Sequence, residues 1–158
     1  MMKKFKYYML IFVIFLIDQL SKIIVSHNIN LNGSVVVIKD FFSLSYVKNT
    51  GAAFGFFSGR TLLITLISVF IFVYLLVELI KEKEENKLID TSFTFIMGGL
   101  LGNLYDRVVL KYVRDFMDFT IFGKGFAIFN IGDMFIVIGC ILFIIGAILE
   151  ARNERKSK

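Results

Sequence analysis

Four long apolar runs constrain the fold of this chain more than any other feature of its sequence. Each run holds about 20 residues, and a helix of that length rises about 30 Å, enough to cross the hydrocarbon core of a bilayer. A soluble domain of this length would also be less hydrophobic than 57%. The pattern predicts one integral membrane domain, residues 1–158, with spans at about 7–26, 61–80, 91–110 and 128–149.

The basic residues predict the orientation of these spans. Three Lys precede the first span, three lie between the second and third, and four Lys or Arg follow the fourth. Because loops rich in Lys and Arg stay in the cytoplasm, we expect both termini there and the segments 27–60 and 111–127 outside. No small-residue cleavage pattern follows the first run, so we expect an uncleaved span and not a signal peptide.

The segment 27–60 has the features of a small β-sheet. Asn32-Gly33 is a turn signal, and the stretches SVVVI and FFSLSYV that follow it are rich in β-branched and aromatic residues. We therefore expect a small sheet on the outer membrane surface, whereas the segment 111–127 is expected to be a loop. The predicted fold class is a membrane all-α bundle of four transmembrane helices with a small extracytoplasmic β-sheet.

The sequence argues against disulfide, zinc and Ser/Lys nucleophile sites. With one Cys, Cys140, and one His, His27, neither an intramolecular disulfide nor a Cys/His zinc site can form. Ser21 and Lys22 are adjacent on a helix and point about 100° apart, so they are a poor nucleophile pair. The basic cytoplasmic segments account for the net charge of +5. We expect no metal, no cofactor and no nucleic-acid partner.

Polar residues inside the predicted spans are the first candidates for function, because they are costly in a bilayer. Asp18 and Lys22 are four residues apart on the first span and can pair. We expect a structural ion pair near the outer boundary, with Lys22 extending toward the lipid headgroups. Asp106 and Arg107 are expected to mark a helix end at the interface. Asn103 lies about one turn deeper, so its amide must find partners inside the bundle.

Polar groups from several segments fall at one level, near the outer boundary of the four-span arrangement. They are Asp18, Asn49, Asn103, Asp115 and Asp133. Two aspartates held a few ångströms apart do not both ionise easily, so they share a proton. The ionised one can activate water while the protonated one donates to the developing oxyanion, as in an aspartic peptidase. The residues alone leave open which two of five aspartates form the pair: Asp18, Asp106, Asp115, Asp118 or Asp133.

Two other classes of protein fit parts of this pattern. A small ion or proton transporter would carry acids through the whole membrane depth, but the inner halves of the second and fourth spans are almost purely apolar. A non-catalytic assembly subunit would explain the stripe of Gly132, Gly139 and Gly146, which we expect to pack against a neighbouring helix.

Five short motifs reveal a resemblance to a known family. They are DQLSK at 18–22, NTGAAFG at 49–55, GNLYDR at 102–107, VRDF at 113–116 and FNIGD at 129–133. In order and spacing the chain resembles the lipoprotein signal peptidases (signal peptidase II) of bacteria over nearly its full length. The resemblance implies four membrane helices, an outward-facing β cradle and an aspartyl dyad that cuts prolipoproteins just before a lipid-modified cysteine. It also implies a plasma-membrane location with lipid-modified prolipoprotein and membrane lipids as partners, and we expect a monomer.

The resemblance further implies roles for individual residues. Asp115 and Asp133 would be the catalytic pair. The residues that line the substrate pocket or orient the pair would be Asn49, Gly51, Asn103, Arg107 and Asn130, with Asp18 and Lys22 in support. Two positions depart from the family: Gly132, where alanine is usual, and Arg114, where an aliphatic residue is common. Gly132 should loosen the helix start slightly. An inward-facing Arg114 would hold Asp115 ionised, so we expect it to point to headgroups or water.

Overall fold

The computed structural model describes residues 2–51, 59–81 and 86–156, and within these ranges the chain forms four α-helices and one four-stranded sheet. The helices are α1 (Met2–Asn28), α2 (Thr61–Lys81), α3 (Lys87–Val109) and α4 (Ile131–Lys156). The strands are β1 (Ser34–Ile38), β2 (Phe42–Asn49), β3 (Val113–Ile121) and β4 (Lys124–Gly125). Residues 52–55 of the NTGAAFG motif lie outside the described residues.

Each predicted span corresponds to one helix, although α1 and α4 extend beyond the predicted bounds and α4 begins only at Ile131. In the described ranges, three helices are long and apolar enough to cross a membrane: α1 from Lys4, α2 and α4, with mean hydropathies of 2.1, 2.7 and 2.7. Helix α3 falls outside this group because Asp90, Asn103 and several Ser, Thr and Gly residues lower its hydropathy. The chain is therefore a mostly helical membrane protein, and the count of four spans stays a prediction.

Helix α3 lies at the centre of the bundle and packs against each of the other three helices. The prediction that the glycine stripe of α4 packs against a neighbouring helix is confirmed. A Cβ built at Gly132 would lie 3.0 Å from the carbonyl oxygen of Gly99, and one at Gly139 would lie 2.9 Å from that of Ser92. Small residues allow such close approach, which matters in a bilayer because burial from water does not drive helices together.

The largest apolar cluster joins α1, α2 and α3 in the half of the bundle away from the sheet. Its buried members are Tyr7, Ile11, Leu75, Leu79, Ile89, Phe93, Ile96, Met97 and Leu100. The outer faces of the helices are apolar as well, and Phe70 of α2 is 72% exposed. A surface of this kind suits contact with lipid chains and leaves the polar residues to the interior.

An antiparallel sheet with the strand order β1-β2-β3-β4 follows the ends of α1 and α3. The β1–β2 hairpin lies where the sequence predicts strands. The expectation of a loop over 111–127 is wrong, because β3 pairs with β2 in the register Val47↔Asp115 and Asn49↔Val113. Three charged residues mask the strand character of β3 in the sequence. Pairing with β2 and buried partners for these charges outweigh local propensity.

Candidate active site

Two carboxylates meet at one asparagine at the start of α4. Asn130 immediately precedes the helix, and its side-chain oxygen accepts a hydrogen bond from the backbone N–H of Asp133 at 3.0 Å. Oδ2 of Asp133 accepts one in return from the backbone N–H of Asn130 at 3.2 Å. This reciprocal cap satisfies two backbone donors and explains why a helix starts within the sequence FNIGD. The cap also fixes the first of the two carboxylates.

The side-chain nitrogen of Asn130 binds the second carboxylate, that of Asp115 on β3. Nδ2 of Asn130 donates to Oδ1 of Asp115 at 2.6 Å, and Nδ2 of Asn49 donates to Oδ2 at 2.7 Å. Asn49 is itself held by the β2–β3 pairing and by accepting a hydrogen bond from the N–H of Gly51 at 2.8 Å. Asp115 is only 2% exposed, and these two amides bind one of its carboxylate oxygens each.

Helix α3 contributes an amide and a guanidinium to the same site. Nδ2 of Asn103 donates to Oδ1 of Asp133 at 2.8 Å, and Oδ1 of Asn103 accepts from Nζ of Lys22 at 2.8 Å. The prediction that Asn103 finds partners inside the bundle is confirmed. One turn further along α3, Nη2 of Arg107 donates to the carbonyl oxygen of Gly51 at 3.2 Å. The positive charge of Arg107 attracts both carboxylates.

The surroundings of Asp115 change its protonation. Burial raises the pKa of Asp115, and the negative charge of Asp133 raises it further. The hydrogen bonds from Asn49 and Asn130 and the charge of Lys22 act in the opposite direction. The net effect raises the pKa of Asp115 from 3.8 to about 7. With Asp133 only half-buried beside it, the pair can hold one proton to donate and one ionised carboxylate to accept a proton.

The predicted ion pair of Asp18 and Lys22 is present, with 2.7 Å between Oδ2 and Nζ. The expectation that Lys22 extends toward the headgroups is wrong, because Lys22 is fully buried among three oxygen-bearing side chains. These are Asp18, Asn103 and, at 3.6 Å, Asp106. Asp18 also accepts a hydrogen bond from the backbone N–H of Gly132 at 2.8 Å, which ties the first turn of α4 to α1.

The expectation that Arg114 points to headgroups or water is wrong. Its side chain turns inward and is only 8% exposed, but it leaves the opposite face of β3 from Asp115, as successive residues of a strand do. There it meets Asp106, which lies in the last turn of α3 as expected and is fully buried. Nη2 of Arg114 lies 2.7 Å from Oδ1 of Asp106, so the charge of Arg114 is balanced away from Asp115.

Of the five candidate aspartates, the structure brings Asp115 and Asp133 together at Asn130. Asp118 lies further along β3 and accepts a hydrogen bond from the hydroxyl of Ser45 at 2.8 Å. Within the described ranges, no group of three His, Cys, Asp or Glu side chains is arranged to hold a metal ion.

The sequence analysis did not single out Gln19, a buried polar residue that binds the neighbours of the site. Gln19 is 6% exposed, and its Nε2 donates to the carbonyl oxygen of Gly102 at 3.0 Å. Its Oε1 accepts from Nη2 of Arg114 at 2.8 Å. The available signal was its place beside Asp18 in the DQLSK motif, where a second polar group within a span needs a partner.

The fold and the carboxylate pair fit one class of protein, the membrane enzymes of the aspartic peptidase type, in which two aspartates activate water. The family model described as Signal peptidase (SPase) II matches residues 10–149. The chain belongs to this family, and the resemblance drawn from its five motifs is confirmed. It is therefore a hydrolase that acts as a peptidase in a bacterial membrane.

Individual relatives agree with this assignment. The chain is 39% identical over 114 residues to the lipoprotein signal peptidase of Halothermothrix orenii, covering 72% of this chain and 78% of that protein. It is 45% identical over 111 residues to that of Caldanaerobacter subterraneus subsp. tengcongensis, covering 70% of this chain and 75% of that protein. A solved structure of a bacterial membrane enzyme, obtained in meso at 2.3 Å resolution, matches with a TM-score of 0.87 and 33% identity. The match covers 97% of this chain and 93% of that chain.

Proposed function

We propose that this chain removes the signal peptide from diacylglyceryl-modified prolipoproteins, cutting just before the lipid-modified cysteine. The observation that carries the proposal is the contact that Asp115 and Asp133 share with Asn130, in a chain of the signal peptidase II family. The names of the relatives specify lipoproteins as the proteins on which those enzymes act. An apolar outer surface suits a substrate that arrives laterally from the bilayer.

The proposed reaction uses one shared proton. Asp115, the more buried carboxyl, carries that proton. The ionised Asp133 accepts a proton from a water molecule while the water oxygen attacks the scissile carbonyl carbon. Asp115 donates to the carbonyl oxygen, which would otherwise become an oxyanion. When the tetrahedral intermediate collapses, this proton returns to Asp115 and the C–N bond breaks. Asp133 then gives its proton to the departing amine, which becomes the new N-terminus at the lipid-modified cysteine.

Amide side chains orient the proposed dyad. Asn49 and Asn130 donate to different oxygens of Asp115, which fixes the plane of its carboxyl group. Asn103 of α3 donates to one oxygen of Asp133 and so helps to orient that carboxyl group. Amides suit this task because they hold a carboxylate without adding charge that would favour one protonation state as strongly as a cation would.

Four further residues support the site. Arg107 and Gly51 are joined by a hydrogen bond, which holds the backbone at Gly51 just after β2. Asp18 anchors the first turn of α4, and Lys22 holds Asn103 in the orientation that reaches Asp133. None of these four has to exchange a proton with substrate in the proposed reaction.

The proposed enzyme is a monomeric single domain with four membrane spans, both termini in the cytoplasm and the dyad at the outer face of the plasma membrane. The distribution of charge supports this arrangement. Lys4 at the start of α1 lies 3.2 Å from Asp90 near the start of α3, so these two helix ends lie together. The dyad lies at the other end of α3, beside the sheet.

The test is processing of a purified precursor in lipid. Wild-type protein should cleave a diacylglyceryl-modified precursor and leave its unlipidated counterpart intact. Asp115→Asn and Asp133→Asn should each reduce cleavage at least about 100-fold, because each removes a proton-transfer group. Asp118→Asn is the matched control on the same strand and should retain activity. Full activity in either dyad variant, or equal cleavage of both precursors, would refute the proposal.

A further inference from the structure

A buried layer of charged side chains lies on the far side of β3 from Asp115. Arg114, the preceding residue, enters this layer and binds Asp106 of α3 through two parallel contacts. Nη2 lies 2.7 Å from Oδ1, and Nε lies 3.2 Å from Oδ2. Asp106 is fully buried and Arg114 is 8% exposed. A two-pronged guanidinium–carboxylate pair fixes both distance and orientation, unlike a single ammonium contact.

Asp106 holds the main chain of the same residue. Its Oδ2 accepts the backbone N–H of Arg114 at 3.0 Å. One carboxylate of α3 therefore binds both the side chain and the backbone N–H of Arg114, the residue directly before Asp115. Gln19 closes the arrangement by accepting from Arg114 at 2.8 Å and donating to Asp106 at 3.3 Å.

The layer continues to the other proposed catalytic carboxylate. Lys22 lies 3.6 Å from Asp106 and 2.7 Å from Asp18, and it donates to Asn103 at 2.8 Å. Asn103 in turn donates to Asp133 at 2.8 Å. The network thus reaches Asp133 through the side chain of Asn103, and it reaches Asp115 through the adjoining residue, Arg114. The formal charges of its two acids, Asp18 and Asp106, and its two bases, Lys22 and Arg114, cancel.

We propose that Arg114 and Asp106 are positioning residues for the dyad: they fix β3 to α3 and keep the layer beneath Asp115 neutral. The proposal rests on the proposed catalytic role of Asp115 and Asp133. Neither positioning residue touches substrate or exchanges a proton with it. Their effect reaches the reaction through the backbone of β3 and through the electric field at Asp115.

The field at Asp115 has contributions from each element packed around it. The charges that act on Asp115 are those of Asp133 on α4, Lys22 on α1 and Arg107 on α3. Asp18 and Asp106 contact Lys22, and the exposed Lys48 of β2 is the sheet partner of Arg114. Removing the Arg114 charge gives the layer a formal charge of −1, with Asp18 and Asp106 against Lys22 alone. Removing the Asp106 charge leaves it net positive. The two changes should therefore move the protonation of the dyad in opposite directions.

The experiment measures cleavage of a diacylglyceryl-modified precursor against pH for four variants. Because a charge roughly 10 Å from a carboxyl shifts its pKa by about one unit, Arg114→Met should move the profile of kcat about one unit toward alkaline pH. Asp106→Asn should move it toward acid pH. The double variant should return to the wild-type profile. Arg114→Lys keeps the positive charge and loses the two-pronged contact with Asp106. It should therefore keep the wild-type pH profile and lower kcat about 3- to 10-fold with KM unchanged.

Asp90→Asn is the matched control, because Asp90 is also a fully buried, ion-paired acid of α3 but lies at the other end of the helix. It should leave the pH profile unchanged. Single variants that lose thermal stability yet show no opposite shifts would reduce Arg114 and Asp106 to a structural role and overturn the inference. If Arg114→Met does not accumulate in the membrane, the pH profiles and kcat values of Arg114→Lys and of the double variant test the inference. Inactive wild-type protein or an active Asp115→Asn variant would instead refute the proposed function.

Discussion

Asn130 shows how one side chain can serve two carboxylates. Its oxygen caps the backbone at Asp133 and its nitrogen donates to Asp115, a combination that requires an acceptor and a donor on the same group. An aspartate at this position would lose the donor and add a third negative charge. The amide therefore couples the start of α4 to the strand that carries the second carboxylate.

The raised pKa of Asp115 predicts a pH-dependent stability. Because burial and the charge of Asp133 raise the pKa from 3.8 to about 7, the native state binds a proton more tightly than the unfolded chain. This stabilisation is complete below pH 4 and is lost as the pH rises through 7. A shift of about three units corresponds to about 4 kcal/mol. The asparagine in Asp115→Asn does not titrate. The thermal midpoint of this variant in detergent should therefore rise relative to that of the wild type between pH 4.5 and pH 8.

The control for this prediction is Asn28→Ala at the exposed end of α1, which removes no ionisable group. Its thermal midpoint should run parallel to that of the wild type across the same pH range. A constant difference between Asp115→Asn and wild type would show that the carboxyl is not protonated near neutral pH.

Among the secondary-structure elements, α3 and α4 make the contact on which the site depends. Their glycines bring the two backbones close, and this places Asn103 within reach of Asp133. The sheet has a complementary task, because β2 and β3 bring Asn49 beside Asp115 from segments far apart in the chain. The site thus needs both a tight helix pair and a correctly registered strand pair.

Gly139 provides the test of the helix contact. A Cβ there would lie 2.7 Å from Cγ1 of Ile96 and 2.9 Å from the backbone of Ser92, and backbone atoms have little room to move. Gly139→Ala should cost about 1–3 kcal/mol and lower the thermal midpoint by several degrees. Gly125→Ala on β4 is the control, since no described atom lies within 4 Å of the added Cβ. Equal midpoints for the two variants would contradict close packing of α3 and α4.

Taken as a whole, the molecule separates its polar candidate site from its basic helix ends. Asp133 and Asn153 are both on α4, about 30 Å apart along the helix axis. This spacing is about the thickness of the hydrocarbon core. The proposed orientation therefore places the dyad and the C-terminal end of α4 on opposite sides of the membrane.

Thiol labelling tests this orientation in a Cys140→Ser background. A cysteine at Lys124, between the dyad strand and α4, should react with a membrane-impermeant maleimide in intact cells. A cysteine at Asn153 should react only after the membrane is permeabilised. Labelling of both sites in intact cells, or the reverse pattern, would contradict the four-span orientation.

Apolar runs of sufficient length predicted all four helices, and the glycine stripe on α4 predicted its close packing, because both signals are local and periodic. The two aspartates were selected through the motifs of a known family, since five aspartates remained equivalent on local chemistry. Strand β3 was not predicted, because Arg114, Asp115 and Asp118 have low strand propensity and their partners lie on other segments.

By itself, then, the amino-acid sequence determined that this is a helical membrane protein, where its helices lie and to which family it belongs. Only the tertiary structure decided that Arg114 turns inward to Asp106, that Lys22 is buried, and that Asn130 joins the two carboxylates. The physical reason is that a buried charge or amide takes its direction from partners distant in the chain. Hydropathy and spacing carry no information about which of several possible partners lies within hydrogen-bonding distance.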